Sequence, residues 1–238
     1  MMYNKNDPST IQDMFDSIAE RYDRANAFLS FNLHKRWNKK LIDEVGLLKK
    51  SHNFLDLCCG TGDIALGYLS GTTATNNAFL VDFSENMLSC AKKKLSNRFA
   101  RCAIHYVQAD VQKLPLPSNS IDRATMAYGI RNVKNPTVCL NEIYRTLKSG
   151  GQLGILELTQ PKQLILRYGH QFYLKAILPL LGRMITSNQA AYQYLQNSIR
   201  TFISPIELEK MLLHAGFKQT KTIPLAGGIA TILIGSKT

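Results

Sequence analysis

Acidic residues are scarce in this chain. Only 17 Asp and Glu stand against 29 Lys and Arg, a formal charge of +12. Between Thr159 and Ser204 there is no Asp or Glu at all. Tryptophan occurs once, at Trp37. No apolar run approaches the roughly 20 residues that a membrane-spanning helix needs; the longest lies around Ala176 to Leu181. Met1 to Ser9 is polar and carries no apolar signal core, so a cytoplasmic protein is expected. The five cysteines, Cys58, Cys59, Cys90, Cys102 and Cys139, are odd in number and include an adjacent pair. That argues against a secreted disulfide framework. Neither Cys-x-x-Cys nor His-x-x-x-His occurs, so no metal site is expected.

What is present points to a globular fold. The 238 residues are 45% hydrophobic and 19% charged, which suits one domain spanning the whole chain. From residue 53 onward, short apolar runs alternate with helical patterns. Strands are expected at Asn53–Cys58, Ala78–Asp82, Ile104–Gln108, Ile121–Tyr128, Gly151–Glu157, Phe217–Ile223 and Ile229–Gly235. Helices are expected at Asp63–Ser70, Glu85–Arg98, Pro136–Leu147 and Pro205–Ala215. Such alternation predicts an α/β fold, a Rossmann-like, doubly wound, seven-stranded sheet that is mostly parallel. The link Pro224–Gly228 is too short for a crossover helix, so the last strand should run antiparallel. Two helical stretches lie outside the alternation. One is residues 1–50, read as two helices; the other is residues 159–204. Both are placed to act as lids at the carboxyl ends of the strands, where open α/β sheets hold ligands.

The strongest local signal is Phe54-Leu55-Asp56-Leu57-Cys58-Cys59-Gly60-Thr61-Gly62-Asp63. A buried strand runs into a glycine turn and then a helix, whose N-terminus favours negative groups. Asp82 closes the second strand 20 residues after Gly62, where a carboxylate can accept both ribose hydroxyls. Gly60-x-Gly62-x-x-Ala65 also fits a dinucleotide motif, so the glycines alone do not decide. Asp56 can hold an amino-bearing ligand end, Asp110 can accept from an adenine amino group, and Met87 is placed to pack against the ligand. Together these features resemble class I S-adenosylmethionine methyltransferases. The turn after the fourth strand reads Ala127-Tyr128-Gly129-Ile130-Arg131-Asn132 and lacks the Asn/Asp-Pro-Pro-aromatic pattern of amino-directed nucleic-acid enzymes. With no basic-aromatic module either, no nucleic-acid partner is expected.

Three stretches narrow the class: Tyr22-Asp23-Arg24-Ala25-Asn26-Ala27-Phe28-Leu29-Ser30-Phe31-Asn32-Leu33-His34-Lys35-Arg36-Trp37; Gly129-Ile130-Arg131-Asn132-Val133; and Arg145-Thr146-Leu147-Lys148-Ser149-Gly150-Gly151-Gln152-Leu153, running on to Leu156-Glu157-Leu158-Thr159. In this order, over nearly the whole chain, they resemble the demethylmenaquinone/ubiquinone-biosynthesis C-methyltransferase family. Ala25, Asn32, Ala127 and Thr159 depart from that family's usual Met, Gly, Ser and Ser. The resemblance implies methylation of an isoprenoid quinol, with demethylmenaquinol to menaquinol first and a ubiquinone-precursor benzoquinol as the alternative. Another small apolar phenol, a sterol or an amine, and a cofactor-binding subunit without turnover, remain open readings.

By resemblance, Thr61, Asp82, Asp110 and Val111 match the family's cofactor contacts. Asp56, Gly60, Gly62 and Met87 are added from the residues themselves. Arg131 and Asn132 lie just past the fourth strand and are the candidate catalytic pair. Arg131 stays protonated and so suits an oxyanion better than base work. Tyr22, His34 and Trp37 are candidate substrate contacts, and His34 is the one that titrates near neutrality. The acid-free stretch 159–204, with Lys162, Arg167, Lys175, Arg183 and Arg200 among leucines and isoleucines, suits an isoprenoid tail. It also suits a peripheral site at the inner face of the membrane or a homodimer interface.

Overall fold

The computed structural model describes residues 7–96, 98, 99, 102–178 and 189–238. The N-terminal part forms helices α1 (Pro8–Ile18), α2 (Tyr22–Leu29) and α3 (Leu33–Val45). Strand β1 (His52–Leu57), helix α4 (Asp63–Gly71), strand β2 (Thr75–Asp82), helix α5 (Glu85–Leu95) and strand β3 (Ala103–Gln108) follow. Next come β4 (Ile121–Ala127), α6 (Pro136–Thr146) and β5 (Leu147–Leu158). Helix α7 (Leu164–Phe172) runs into a π-helical turn, Tyr173–Ile177. Helices α8 (Gln189–Thr201) and α9 (Pro205–His214) lead to β6 (Lys218–Leu225) and β7 (Ala230–Ser236).

The seven strands lie in the order β3-β2-β1-β4-β5-β7-β6. Neighbours from β3 to β5 pair in parallel, and β7 pairs antiparallel to both β5 and β6. Phe54, Leu55, Leu57, Ala78, Leu80 and Val81 are all fully buried, as expected of parallel strands covered on both faces. On one face, α6 and α9 pack Cys139, Leu140, Ile143, Leu208 and Leu212 against Leu55 and Leu57. On the other, α3, α4 and α5 pack Leu41, Ile42, Tyr68 and Leu88 against Phe54 and Leu80. Pro224 sits in β6, at the sheet edge, where a missing N–H is tolerated.

Several boundaries differ from the sequence reading, each for a local reason. The described part of the N-terminal stretch, residues 7–50, makes three α-helices rather than two. Phe31 and Asn32 take positive φ, 50° and 60°, and break the pattern; Asn is among the side chains most tolerant of that region. Strands β1 and β4 each end one residue early because Cys58 and Tyr128 also turn to positive φ, 50° and 59°. Strand β5 starts at Leu147, since Gly150 and Gly151 exchange backbone hydrogen bonds with Lys237. Of the expected helix Glu85–Arg98, Asn97 lies outside the described residues; so do Leu180, Leu181 and Arg183 of the 159–204 stretch, and residues 1–6.

Candidate active site

Beyond the carboxyl ends of β1, β2, β3 and β4 lies a cavity of about 320 Å³. Gly60, Asp82, Met87, Asp110, Val111 and Asn132 line it, and α1 roofs it with Ile11, Gln12 and Phe15. Gly60 has φ 51° and donates its N–H to Asp82 Oδ2 at 2.8 Å. Ser84 donates its N–H to Asp82 Oδ1 at 3.0 Å. The glycine turn and the end of β2 therefore position one carboxylate together. Burial pushes that carboxyl up to about 6, against the backbone donors that pull it down. Asp110 accepts from the Gln112 backbone N–H at 2.8 Å and remains exposed at the other end of the cavity. A buried apolar Met87 between two acids at β-strand ends suits a nucleoside: hydroxyls to Asp82, an amino group to Asp110, a planar base against Met87.

A second cavity, of about 400 Å³, lies under α2, α3, α7 and α8. Its lining is mainly apolar, with Leu29, Trp37, Leu158, Leu174 and Leu195 among it. Tyr22 and Tyr128 belong to both cavities and so frame the passage between them. Tyr128 is held in its left-handed conformation from every side. Its N–H donates to Leu156 O at 2.7 Å, its hydroxyl donates to Asn38 Oδ1 at 3.1 Å, and its carbonyl accepts from Arg131 and Asn132. Gly129 must be glycine there, because a Cβ would come within 2.6 Å of Cys58 Cβ.

Arg131 supplies the charge of the second cavity. Its guanidinium donates to Glu157 Oε1 at 2.5 Å and to Tyr128 O at 2.6 Å. Glu157 is fully buried at the end of β5 and also accepts the backbone N–H groups of Arg131 and Leu158. Burial works against the Arg131 charge, but Glu157 and Tyr22 push it further up, so it stays a cation. Among the described residues, the buried Arg131 Nε has no hydrogen-bond partner. Asn132 accepts from the Tyr194 hydroxyl at 2.9 Å, which fixes its amide. His34 bonds Ser30 Oγ through Nδ1 at 2.6 Å, and burial holds its pKa below the ordinary value. Its imidazole is therefore neutral near pH 7.

The other expected cofactor residues sit behind the cavity wall. Asp56 is buried, accepting Thr125 Oγ1 at 2.8 Å and the Ala65 N–H at 3.2 Å. Burial pushes it up to about 7. It ties β1, β4 and α4 together under the glycine turn. Thr61 donates to Asp23 Oδ1 on α2. Gly62 has φ 81°, and a Cβ there would meet Leu95 at 2.7 Å and Ala91 at 3.2 Å, so it permits close α4–α5 packing. Glu157, Tyr128 and Tyr194 were not singled out by sequence reasoning. Only a charged residue at the end of an apolar strand hinted at Glu157. Among the described residues no group of three or more His, Cys, Asp or Glu could hold a metal ion, and no helix is long and apolar enough to cross a membrane.

Comparison with known proteins agrees over the full length. The ubiE/COQ5 methyltransferase family matches residues 2–237. A demethylmenaquinone methyltransferase of Protochlamydia amoebophila is 55% identical over 99% of this chain and 98% of its own length. A ubiquinone/menaquinone biosynthesis C-methyltransferase of Pseudoalteromonas translucida is 37% identical over 96% of this chain and 91% of its own. Among solved structures, a SAM-dependent methyltransferase from Aquifex aeolicus superposes with a TM-score of 0.65, covering 94% of this chain and 98% of that one at 17% identity.

Proposed function

Because this chain belongs to the ubiE/COQ5 methyltransferase family, we propose that it methylates a ring carbon of demethylmenaquinol, using S-adenosylmethionine, to give menaquinol. One observation carries the reading: a cavity with nucleoside-type contacts and an apolar cavity holding a fixed guanidinium meet at Tyr22 and Tyr128. Asp82, Asp110 and Met87, with Val111 and Gly60 beside them, suit the adenosine. Asp56, Thr61 and Gly62 hold the turn that shapes this side. When bound, S-adenosylmethionine supplies an electrophilic methyl on sulfonium.

The remaining work falls to the chain. The reduced ring must gain electron density at carbon, which loss of a phenolic proton provides; once the carbon holds the methyl, its own hydrogen leaves as a proton and the phenol O–H is restored, so one proton is released overall. A free phenol loses that proton only near pKa of about 10. Arg131, clamped by Glu157, sets a permanent cation beside the second cavity, where it favours the phenolate. Removing such a donor costs about 10²–10³-fold in rate at comparable sites. Asn132, with its amide turned by Tyr194, orients the oxygen at the passage. His34, neutral and bonded to Ser30, is able to accept a proton. Tyr22 walls both cavities and lines up carbon with methyl; alignment of this kind is worth on the order of 7–11 kcal/mol. Trp37 and the leucines exclude water, which favours a step that annihilates charge.

The stretches 1–50 and 159–204 are read as lids on one domain spanning 1–238. Phe31, Leu33 and Leu166 line the second cavity and are also exposed, at 70%, 37% and 39%. The isoprenoid tail leaves there. Beside them, Leu164 and Ile165 are 65% and 87% exposed on the acid-free segment. That suits peripheral contact with anionic lipid at the inner face of the membrane. Flotation with anionic liposomes tests this; a dimer in solution without flotation would assign the patch to a second copy.

The deciding experiment is turnover of chemically reduced, short-tailed demethylmenaquinol with S-adenosylmethionine, read by mass, beside the matching demethylated benzoquinol. Product from the naphthoquinol supports the reading, and product from both adds the benzoquinol role. No product from either, with cofactor binding intact, overturns the substrate.

A further inference from the structure

Lys94 lies on α5, outside both cavity linings, yet three groups from other elements converge on it. Its Nζ is 2.6 Å from Asp23 Oδ2 on α2, 2.5 Å from Asp63 Oδ1 at the start of α4, and 3.0 Å from Thr61 Oγ1 in the glycine turn. Thr61 in turn donates to Asp23 Oδ1 at 2.5 Å. The Lys94 side chain is only 19% exposed. Asp23 is the residue directly after Tyr22, whose ring walls both cavities.

We propose that Lys94 is a positioning residue for methyl transfer: through Asp23 it sets the Tyr22 ring in the passage, and through Thr61 it ties that setting to the glycine turn. This rests on the methyl-transfer reading above. Energy alone does not explain the cluster, since partly exposed ion pairs add little to stability. Geometry gives it a purpose. The ammonium holds Asp23 Oδ2 while Thr61, bonded to the same ammonium, holds Asp23 Oδ1, so α2 is fixed in rotation as well as in distance. Without the ammonium, Asp23 and Asp63 face each other as like charges, and α2 moves away with Tyr22 attached. Because Thr61 belongs to the same cluster, a ligand that settles the glycine turn also settles the passage. Binding on one side should then strengthen binding on the other, a reciprocal coupling.

The test uses Lys94→Met, Lys94→Arg, Asp23→Ala and Asp63→Asn in the full chain. The single tryptophan, Trp37, lines the second cavity. Quenching of its fluorescence by a short-tailed naphthoquinone therefore reports quinone binding without turnover. Lys94→Met and Asp23→Ala should weaken quinone binding and lower kcat/KM for the quinol by about tenfold each, the scale expected of a misplaced positioning group. Lys94→Arg should recover most of that loss. Asp63→Asn, which leaves the Lys94–Asp23 contact in place, should stay near wild type. Equal losses in Asp63→Asn and Asp23→Ala would make the cluster a structural tie and overturn the proposal. So would wild-type binding and turnover in Lys94→Met. A thermal melt of each variant separates misfolding from misplacement, because Lys94→Arg must rescue binding at an unchanged melting temperature. If the wild type methylates no quinol, the function reading fails while the Trp37 titrations still judge Lys94.

Discussion

The Arg131–Glu157 pair offers the sharpest quantitative test. Both side chains are buried, at 7% and 0% exposure, with 2.5 Å between charged atoms. Removing one partner strands the other charge away from water, at a cost of about 3–5 kcal/mol. A chain of this size loses about 2–4 °C of Tm per kcal/mol. Arg131→Met and Glu157→Leu should therefore each lower Tm by about 6–20 °C. Glu157→Gln keeps one acceptor oxygen, which serves the Arg131 guanidinium and the Leu158 N–H at the Oε1 position but not the Arg131 backbone N–H at Oε2, and should sit at the lower end. Replacing both, as Arg131→Met with Glu157→Leu, removes both charges at once. Apolar replacements of buried pairs are often neutral or stabilising, so Tm should return to within a few degrees of wild type, which sets the coupling between the two sites at about 5–10 kcal/mol. Activity should not return: kcat should stay down by about 10²–10³-fold, the loss typical when a fixed oxyanion partner is removed. Calorimetry or fluorescence melts give the stabilities, and methylated quinol by mass gives the rates. A double variant that melts like the single ones would show the pair is not uncompensated charge. A double variant that turns over normally would remove Arg131 from the chemistry.

Further outcomes are expected elsewhere. Asp82 ionises near 6 in the fold, and ribose hydroxyls need its charged form as acceptor. S-adenosylmethionine affinity should therefore fall as pH drops below about 6 and be flat in Asp82→Asn; calorimetric titration at pH 5 and 7.5 decides. Asp56 ionises near 7 in the fold and near 3.9 when unfolded. Its stabilising contribution is full below the unfolded value and is lost as pH rises through the folded one, so melts should show stability declining from about pH 4 to pH 7. Gly129→Ala would force a Cβ against Cys58; the cost should be about 1–3 kcal/mol of stability together with lower kcat, since Tyr128 shifts. Tyr194→Phe removes the donor to Asn132 and should lower kcat several-fold, by about 1 kcal/mol, while leaving S-adenosylmethionine binding intact.

What was legible in the sequence follows the physics of each element. Buried parallel strands write themselves as apolar runs, so β1, β2 and β4 stand out in Phe54–Leu57, Ala78–Asp82 and Ile121–Ala127. Antiparallel β7 was legible too, because Gly227 and Gly228 turn the chain too tightly for a crossover. Residues at strand ends were legible as candidates: Gly60, Asp82, Met87, Asp110 and Val111 gather in one cavity. Tyr22, His34, Trp37 and Arg131 gather in the other. Less legible was which polar residue faces a cavity and which stands behind it. Asp56 lies one residue before the end of β1 and Asp82 closes β2, yet one is turned under the glycine turn and the other into the opening. Strand alternation puts neighbours on opposite faces, but it does not say which face a helix will later cover.

Partnerships across long separations were hidden altogether. Glu157 meets Arg131 across 26 residues and Lys94 meets Asp23 across 71. No local pattern announces either. Their shared logic appears only in three dimensions. Each pair fixes a group at the passage, Arg131 from the sheet side and Tyr22 from the helical side. Tyr128, strained and fully hydrogen-bonded, stands between them. A left-handed residue costs about 1–3 kcal/mol and persists only where its surroundings over-determine it. Here those surroundings are Arg131, Asn132, Asn38 and Leu156. Two of these groups, Arg131 and Asn132, are also the pair proposed to act on the substrate. Loosening any one of them should move the wall between the cavities as well as the side chain removed. For that reason catalytic losses at Arg131, Asn132 and Tyr128 should combine less than additively, a behaviour that pairwise variant kinetics can measure directly.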